Sequence, residues 1–331
     1  MGNALYPLKF KPILKERIWG GAKLRDKMGK QFPDSKEKYG ESWEVSGVEG
    51  DVSVVQNGFL AGNTLNELIE VYMGDLVGES LYERFGEEFP LLIKLIDASE
   101  TLSIQVHPSD EIARERHHAY GKTEMWYIID ADRDALIYTG FEKDITREEY
   151  IQAVKDGNLE RYLHQEQAIA GDVFFIPAGR VHAIGKGVLL AEIQQTSDIT
   201  YRIFDWNRVD GSGKSRELHT ELAVDAIDFS KVHNPKTHPE YEVNRTSELS
   251  ACKYFTVNRI TFTSAMQRDY NMLDSFVIYL CLEGEGSVVY ASGASERLTK
   301  GETVLLPADL KDVILRPQGK CSLLEVYVNP T

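Results

Sequence analysis

A chain of 331 residues exceeds one average domain and can bury at least one full core, so two domains or one elaborated domain is the expectation. Its formal net charge of -15 at pH 7 works against a nucleic-acid or anionic-membrane surface, because binding to either is carried by clustered Lys and Arg that neutralise phosphate. No stretch approaches the roughly 20 apolar residues that span a bilayer, and the opening MGNALYPLKFKPILKERIWGG has no uninterrupted apolar h-region, so a cytoplasmic protein is expected.

Short apolar, β-branched and aromatic runs then follow one another: DVSVVQNG, FPLLIKLIDA, LSIQVHP, EMWYIIDA, DALIYTGF, DVFFIPAG and VLLAEIQQ, and after a polar stretch FVIYLCLEG, GSVVYA, ETVLLPA and CSLLEVYVN. Runs of this length, punctuated by Gly, Asp and Pro, predict a mainly β chain of barrels or sandwiches. Helices are few. The spacing predicts one over about Leu65 to Tyr72, opened by Thr64 with Glu67 as a capping box, and another over Arg147 to Lys155, opened by Thr146 with Glu149. A third covers Ser80 to Phe85. Cys252, Cys281 and Cys321 are widely spaced with no C-x-x-C pair, which reads as reduced core or surface thiols.

The chain also repeats itself. GDVFFIPAGRVHAI (Gly171 to Ile184) aligns without gaps on GETVLLPADLKDVI (Gly301 to Ile314), sharing Gly, Pro, Ala and the final Ile. Two related barrels are therefore expected: residues 1–235 as a metal-binding half, with a short helical segment near 142–166, and residues 236–331 as a second half. Asp312 stands where His182 stands in the first copy, so the second copy is expected to lack a metal.

Three predicted strands carry the chemistry. In LSIQVHPSD, Gln105 and His107 lie two apart and share a face, as do Lys122, Glu124 and Trp126 in KTEMWYII. In GDVFFIPAGRVH a strand ends at Pro177, and a turn at Gly179 presents His182. Two imidazoles, a carboxylate and an amide suit zinc, iron, manganese or cobalt, with a position left open for water or substrate. Taken singly, each His is as well read as a hydrogen-bonded core or rim residue; only the joint pattern raises the ligand reading.

The spacing Gly171, five residues, Pro177, one residue, Gly179, two residues, His182 resembles the second motif of the cupin superfamily, and Gln105-x-His107 followed by Glu124 resembles the first, with Gln in place of its first His. LSIQVHP, KTEMWY, PAGRVHAI and AEIQQTSDITYRIFDW in that order, with IWGG, GESWEVS and FPLLIKLIDA upstream, resemble the type I mannose-6-phosphate isomerases in their compact bacterial form. The resemblance implies two linked cupin-like jelly-roll barrels and one zinc ion per chain, held by His107, Glu124 and His182 with Gln105 as a fourth ligand. It further implies Arg202 as the active-site arginine, and interconversion of mannose 6-phosphate and fructose 6-phosphate.

Such an isomerisation needs a base beside the metal. Glu192, on the strand leaving the His182 turn, is the candidate, its alternative being a rim carboxylate paired with Arg202. Lys122 is a candidate to orient hydroxyls, relay protons or bind phosphate, and Lys94, inside an apolar strand, demands a partner or points outward. GSGKS at 211–215 is not a phosphate loop, because Arg208 stands where its first Gly belongs. His117 and His118 read as a solvated face, and His219, His233 and His238 sit in polar surroundings. A cupin oxygenase using iron at the same ligands, or a non-catalytic sugar-binding cupin, are the competing readings.

Overall fold

The computed structural model describes residues 4–35, 38–209, 213–291 and 293–329, so part of the GSGKS run lies outside the described residues. The fold is mainly β. In the first half run β1 (Ile13–Gly21), β2 (Tyr39–Val45), β3 (Leu91–Ala98), β4 (Ile104–Val106), β5 (Glu124–Ala131), β6 (Leu136–Phe141), β7 (Leu163–Gln167), β8 (Val173–Ile176), β9 (His182–Ile184), β10 (Val188–Gln195), β11 (Tyr201–Phe204) and β12 (Lys236–Thr237). The second half holds β13 (Arg245–Ala251), β14 (Thr256–Phe262), β15 (Met266–Asp269), β16 (Val277–Glu283), β17 (Glu285–Tyr290), β18 (Ala294–Thr299), β19 (Thr303–Leu306), β20 (Asp312–Pro317) and β21 (Cys321–Tyr327).

These strands form open sheets, not the closed barrels expected. The first half stacks β1-β2-β3-β10-β5-β8-β12 on β11-β4-β9-β6-β7, and the second stacks β13-β14-β21-β16-β19 on β15-β20-β17-β18. Short edge strands, two residues in β12 and four in β11, leave the rims of the two layers unjoined, so each pair is a sandwich. The order β2-β3-β10-β5-β8 matches β13-β14-β21-β16-β19, the structural counterpart of the sequence repeat. Asp312, at the His182 position, is exposed, and lies opposite Asp269 where His182 lies opposite Gln105.

Strand parity explains the unbroken apolar runs. Ile93, Leu95, Met125, Tyr127, Ala191 and Ile193 face outward into one core with Val257, Ile278, Leu280, Leu305 and Leu324 of the second half. Alternate residues Ile96, Trp126, Ile128, Phe174 and Leu190 face into the first sandwich. The large sheets thus pack back to back, each buried on both faces, which selects continuous hydrophobic sequence instead of clean alternation. Inside this junction the Lys30 ammonium meets Glu44 and the Gly301 carbonyl, both at 2.6 Å.

The helices are α1 (Lys23–Met28), α2 (Leu65–Val77), α3 (Glu79–Phe85), α4 (Asp110–His117), α5 (Arg147–Lys155) and α6 (Thr220–Ala226). Both predicted capping boxes form, and α5 has the predicted bounds. α2 runs past Tyr72 because it breaks at Met73 (φ 47, ψ -126) and continues to Val77, where loop N–H groups of Phe276, Ala308 and Asp309 take the carbonyls of Val77, Leu76 and Asp75. α3 is capped from the other half: Asp274 accepts the N–H groups of Glu79 (2.8 Å) and Ser80 (2.9 Å). Asp274→Ala is expected to cost about 1–2 kcal/mol of unfolding free energy by denaturant titration, the range for a lost helix cap; an unchanged midpoint and slope would show that water replaces the cap. Among the described residues no helix is long and apolar enough to cross a membrane.

Candidate metal centre and active site

The site lies inside the first sandwich and is assembled by strand register. Glu124 opens β5 directly opposite Gln194 of β10 and Ile176 of β8. Gln105 on β4 pairs with His182 on β9 on one side and Arg202 on β11 on the other. His107 follows β4, and its carbonyl receives the N–H of Gly179 at 2.9 Å, docking the turn that delivers His182. That turn needs glycine: φ is +88°, and a Cβ there would stand 2.9 Å from the Ala226 carbonyl oxygen.

The two imidazoles are held in one tautomer. His107 Nδ1 donates to the Ile199 carbonyl (3.0 Å) and His182 Nδ1 to the Arg180 carbonyl (2.8 Å), leaving both Nε2 lone pairs inward. His107 Nε2 lies 3.5 Å from Glu124 Oε2, and His182 Nε2 lies 3.4 Å from Glu124 Oε1 and from the Gln105 amide nitrogen. Ligand atoms of His107, Glu124 and His182 all fall within 4.8 Å of one another, and all three side chains are buried. Among the described residues His107 Nε2 and Glu124 Oε1 have no hydrogen-bond donor, and Glu124 Oε2 meets only the Lys122 ammonium. A buried acceptor left without a donor costs about 1–3 kcal/mol, and ligand atoms from three buried side chains converging within 4.8 Å is the arrangement a divalent cation satisfies, so the residues fit a metal ion.

Electrostatics prepare the same state. Burial and the nearby Lys122 ammonium hold His107 neutral well below the usual imidazole range, and burial brings His182 to about 4, so both rings present lone pairs at neutral pH. Burial, then Glu192, push Glu124 up to about 7 against the pull of Lys122 and Lys94. Lys122 Nζ stands 3.3 Å from Glu124 Oε2, and burial notwithstanding, Glu124 and Glu192 hold it protonated.

A single cross-strand row continues the site: Trp43, Lys94, Glu192 and Trp126 lie side by side on β2, β3, β10 and β5. Lys94, for which the sequence demanded a partner, is buried and donates to Glu192 (2.9 Å) and Gln194 (2.7 Å). Glu192 is therefore paired with Lys94 and the Trp126 indole N–H (3.0 Å), not with Arg202. Although burial opposes it, Lys94 and Lys122 keep the Glu192 carboxylate below its ordinary range.

Trp43, Lys94 and Glu192 of this row line a cavity of about 590 Å³ together with Arg17, Glu41, Gln105, Lys122, Arg202 and Arg216. Arg17, Glu41, Trp43 and Arg216 were not singled out from sequence. A signal existed in GESWEVS, whose alternation puts Glu41 and Trp43 on the cavity face and Ser42 and Glu44 toward the junction. Arg17 clamps Glu41 through two bonds of 2.9 and 3.1 Å, and the Trp43 indole adds a third at 2.7 Å. Against the effect of burial, Lys94 and Arg17 draw the Glu41 carboxylate down to about 2. Four other histidines stand apart from the trio: His117 ends α4 with its ring against Tyr201, His118 is its exposed left-handed cap, His219 accepts the Arg202 N–H, and His238 contacts Asp172.

Comparison with known proteins accounts for this arrangement. Residues 7–156 match the model of the phosphomannose isomerase type I catalytic domain, and residues 245–328 that of the mannose-6-phosphate isomerase cupin domain. The mannose-6-phosphate isomerase ManA of Bacillus subtilis (strain 168) is 38% identical over 95% of this chain and 97% of its own length. The chain belongs to the type I phosphomannose isomerase family. A mannose-6-phosphate isomerase of Streptococcus mutans is 35% identical over 92% of this chain and 93% of its own length. The crystal structure of a Bacillus subtilis mannose 6-phosphate isomerase superposes with a TM-score of 0.84 at 34% identity, covering 97% of this chain and 99% of that one. A phosphomannose isomerase variant from Salmonella typhimurium shares the fold at 17% identity, with a TM-score of 0.79 over 98% of this chain and 100% of that one.

Proposed function

We propose that this chain interconverts mannose 6-phosphate and fructose 6-phosphate in the cytoplasm, with one zinc ion on His107, Glu124 and His182 and Gln105 as a fourth ligand. What carries the reading is the convergence of buried His107, Glu124 and His182 ligand atoms, in a chain of this family, next to a cavity that Gln105 and Lys122, their immediate neighbours, line. The bound ion would supply Lewis-acid polarisation and orientation of the sugar's hydroxyl and carbonyl oxygens. Residues 1–235 act as the catalytic half and residues 236–331 as its cupin-like support.

The protein's own groups do the rest. Isomerisation removes the C2 proton of the open-chain aldose, passes through an enediol and returns a proton to C1. Glu192 lines the cavity as a carboxylate, aimed by Lys94 and Trp126, and serves as the base that carries this proton. Lys122, protonated and anchored on Glu124, orients a sugar hydroxyl and relays protons between oxygens. Arg202, on the strand beside Gln105, supplies a fixed positive fork to the anionic oxygens of the substrate.

The test is fructose 6-phosphate formation from mannose 6-phosphate by chelator-stripped protein before and after zinc is restored. Activity should vanish and return. No activity in the restored, folded protein would overturn the isomerase reading, and oxygen uptake with iron would replace it by the oxygenase.

A further inference from the structure

Most cations lining the cavity are spoken for. Lys15 is paired with Asp51, Arg17 with Glu41, Lys94 with Glu192 and Lys122 with Glu124. This leaves the pocket nearly neutral along β1, β2, β3 and β5, and Lys122, the lysine that sequence offered for phosphate, is committed to Glu124.

One end differs. Asp205, buried just past β11, takes two guanidiniums at once: Arg216 through Nε (2.8 Å) and a second nitrogen (2.5 Å), and Arg208 at 2.5 Å. Arg208 spends its other donors on the Thr101 and Asp205 carbonyls and so acts as a brace. Arg216 uses the Nε edge of its fork on Asp205, leaving its remaining terminal nitrogen uncommitted to that carboxylate, and the residue lines the cavity. Arg202 lines it too, tied by one nitrogen to the Glu217 carbonyl at 2.8 Å, while its Nε is buried with no hydrogen-bond partner among the described residues. Arg208 and Arg216 share one buried carboxylate and Arg202 stands beside them, so three guanidiniums face a single buried acid, the neighbouring Glu217 being exposed, at this end of a protein whose overall formal charge is -15. Asp198 also lines the wall but is exposed, where water screens it.

We propose that Arg216, held by Asp205 and working with Arg202, is the phosphate-recognising residue of the site. A phosphate monoester carries about 1.5 to 2 negative charges near neutral pH, matching the surplus, and its oxygens suit a planar two-donor edge better than an ammonium. The assignment deepens the isomerase reading and rests on it. It fixes the orientation of the substrate, with the phosphate toward the loop after β11 and C1 and C2 toward His107, Glu124 and His182. Asp205 is a positioning residue: without it the Arg216 fork loses its bidentate anchor.

Inorganic phosphate is the direct probe, titrated calorimetrically into the zinc-loaded protein at low ionic strength, alongside steady-state kinetics on mannose 6-phosphate and on unphosphorylated mannose. Arg216→Gln should weaken phosphate binding and raise KM for mannose 6-phosphate by a similar factor of ten or more, with a smaller fall in kcat, and should narrow the preference for mannose 6-phosphate over mannose about tenfold. Arg216→Lys should recover part of the loss, and Asp205→Asn should produce a smaller rise in KM. Retained zinc and an unshifted melting temperature certify each variant's fold. A zinc-loaded Arg216→Gln protein that binds phosphate and mannose 6-phosphate as tightly as the parent overturns the proposal while leaving the isomerase reading intact. An unsubstituted protein that binds phosphate through Arg216 but turns over no mannose 6-phosphate overturns the isomerase reading instead.

Discussion

His182→Ala is expected to lose bound metal and isomerase turnover together. The imidazole is fully buried, aimed by its Nδ1 bond to the Arg180 carbonyl, and stands 3.4 Å from both Glu124 and the Gln105 amide nitrogen. Alanine offers no donor to an ion and leaves Glu124, already pushed up to about 7, with less reason to ionise. Metal content measured after dialysis should fall well below one ion per chain, and kcat should drop by roughly a thousand-fold, about 4 kcal/mol of barrier. A variant that keeps full activity would remove His182 from the site. Dissociation on acidification follows the same logic in the parent protein, since protons compete with the ion for both Nε2 lone pairs.

Glu192→Gln carries the second large effect. The amide preserves the shape that Lys94 and Trp126 grip but accepts no proton, so kcat should fall by about a thousand-fold with metal still bound. Loss of hydrogen exchange between solvent and C2 of the sugar, followed by NMR, is the accompanying readout. Rates within a factor of ten of the parent would reassign the base. The pH profile then separates Glu192 from a passive wall. Lys94 holds the carboxylate below its usual range, and activity requires the ionised form, so Lys94→Met should raise that pKa and move the acid limb of kcat/KM to higher pH. A limb that stays in place would mean another group controls it.

The candidate metal-ligating trio was legible because each member answers to a local rule. His182 sits at a fixed distance from a glycine whose φ of +88° few other residues adopt. Gln105 and His107 share strand parity, and Lys122, Glu124 and Trp126 do likewise. The helix starts at Thr64 and Thr146 were equally readable, since a capping box closes within four residues. α4 and α6 were missed because neither carries an apolar stripe long enough to stand out from its loops, although Ser109 caps the first turn of α4.

What the linear order determined, then, was composition-level and local: a mainly β chain with a repeated turn, the side chains able to ligate a metal, and the few helix boundaries set by caps. Which charges meet was decided by tertiary structure alone. Lys94 and Glu192 are 98 positions apart and become neighbours only because β3 and β10 align in one register, and Arg216 reaches Asp205 by way of a loop that no periodicity describes. The apolar runs also had a reason invisible in sequence. Sheets buried on both faces, one against the site and one against the second sandwich, need hydrophobic residues at every position, and a closed barrel and a double sandwich ask for the same runs. Only the pairing of edge strands distinguishes them, and pairing is a long-range choice made by packing and hydrogen bonds between segments that local sequence does not connect.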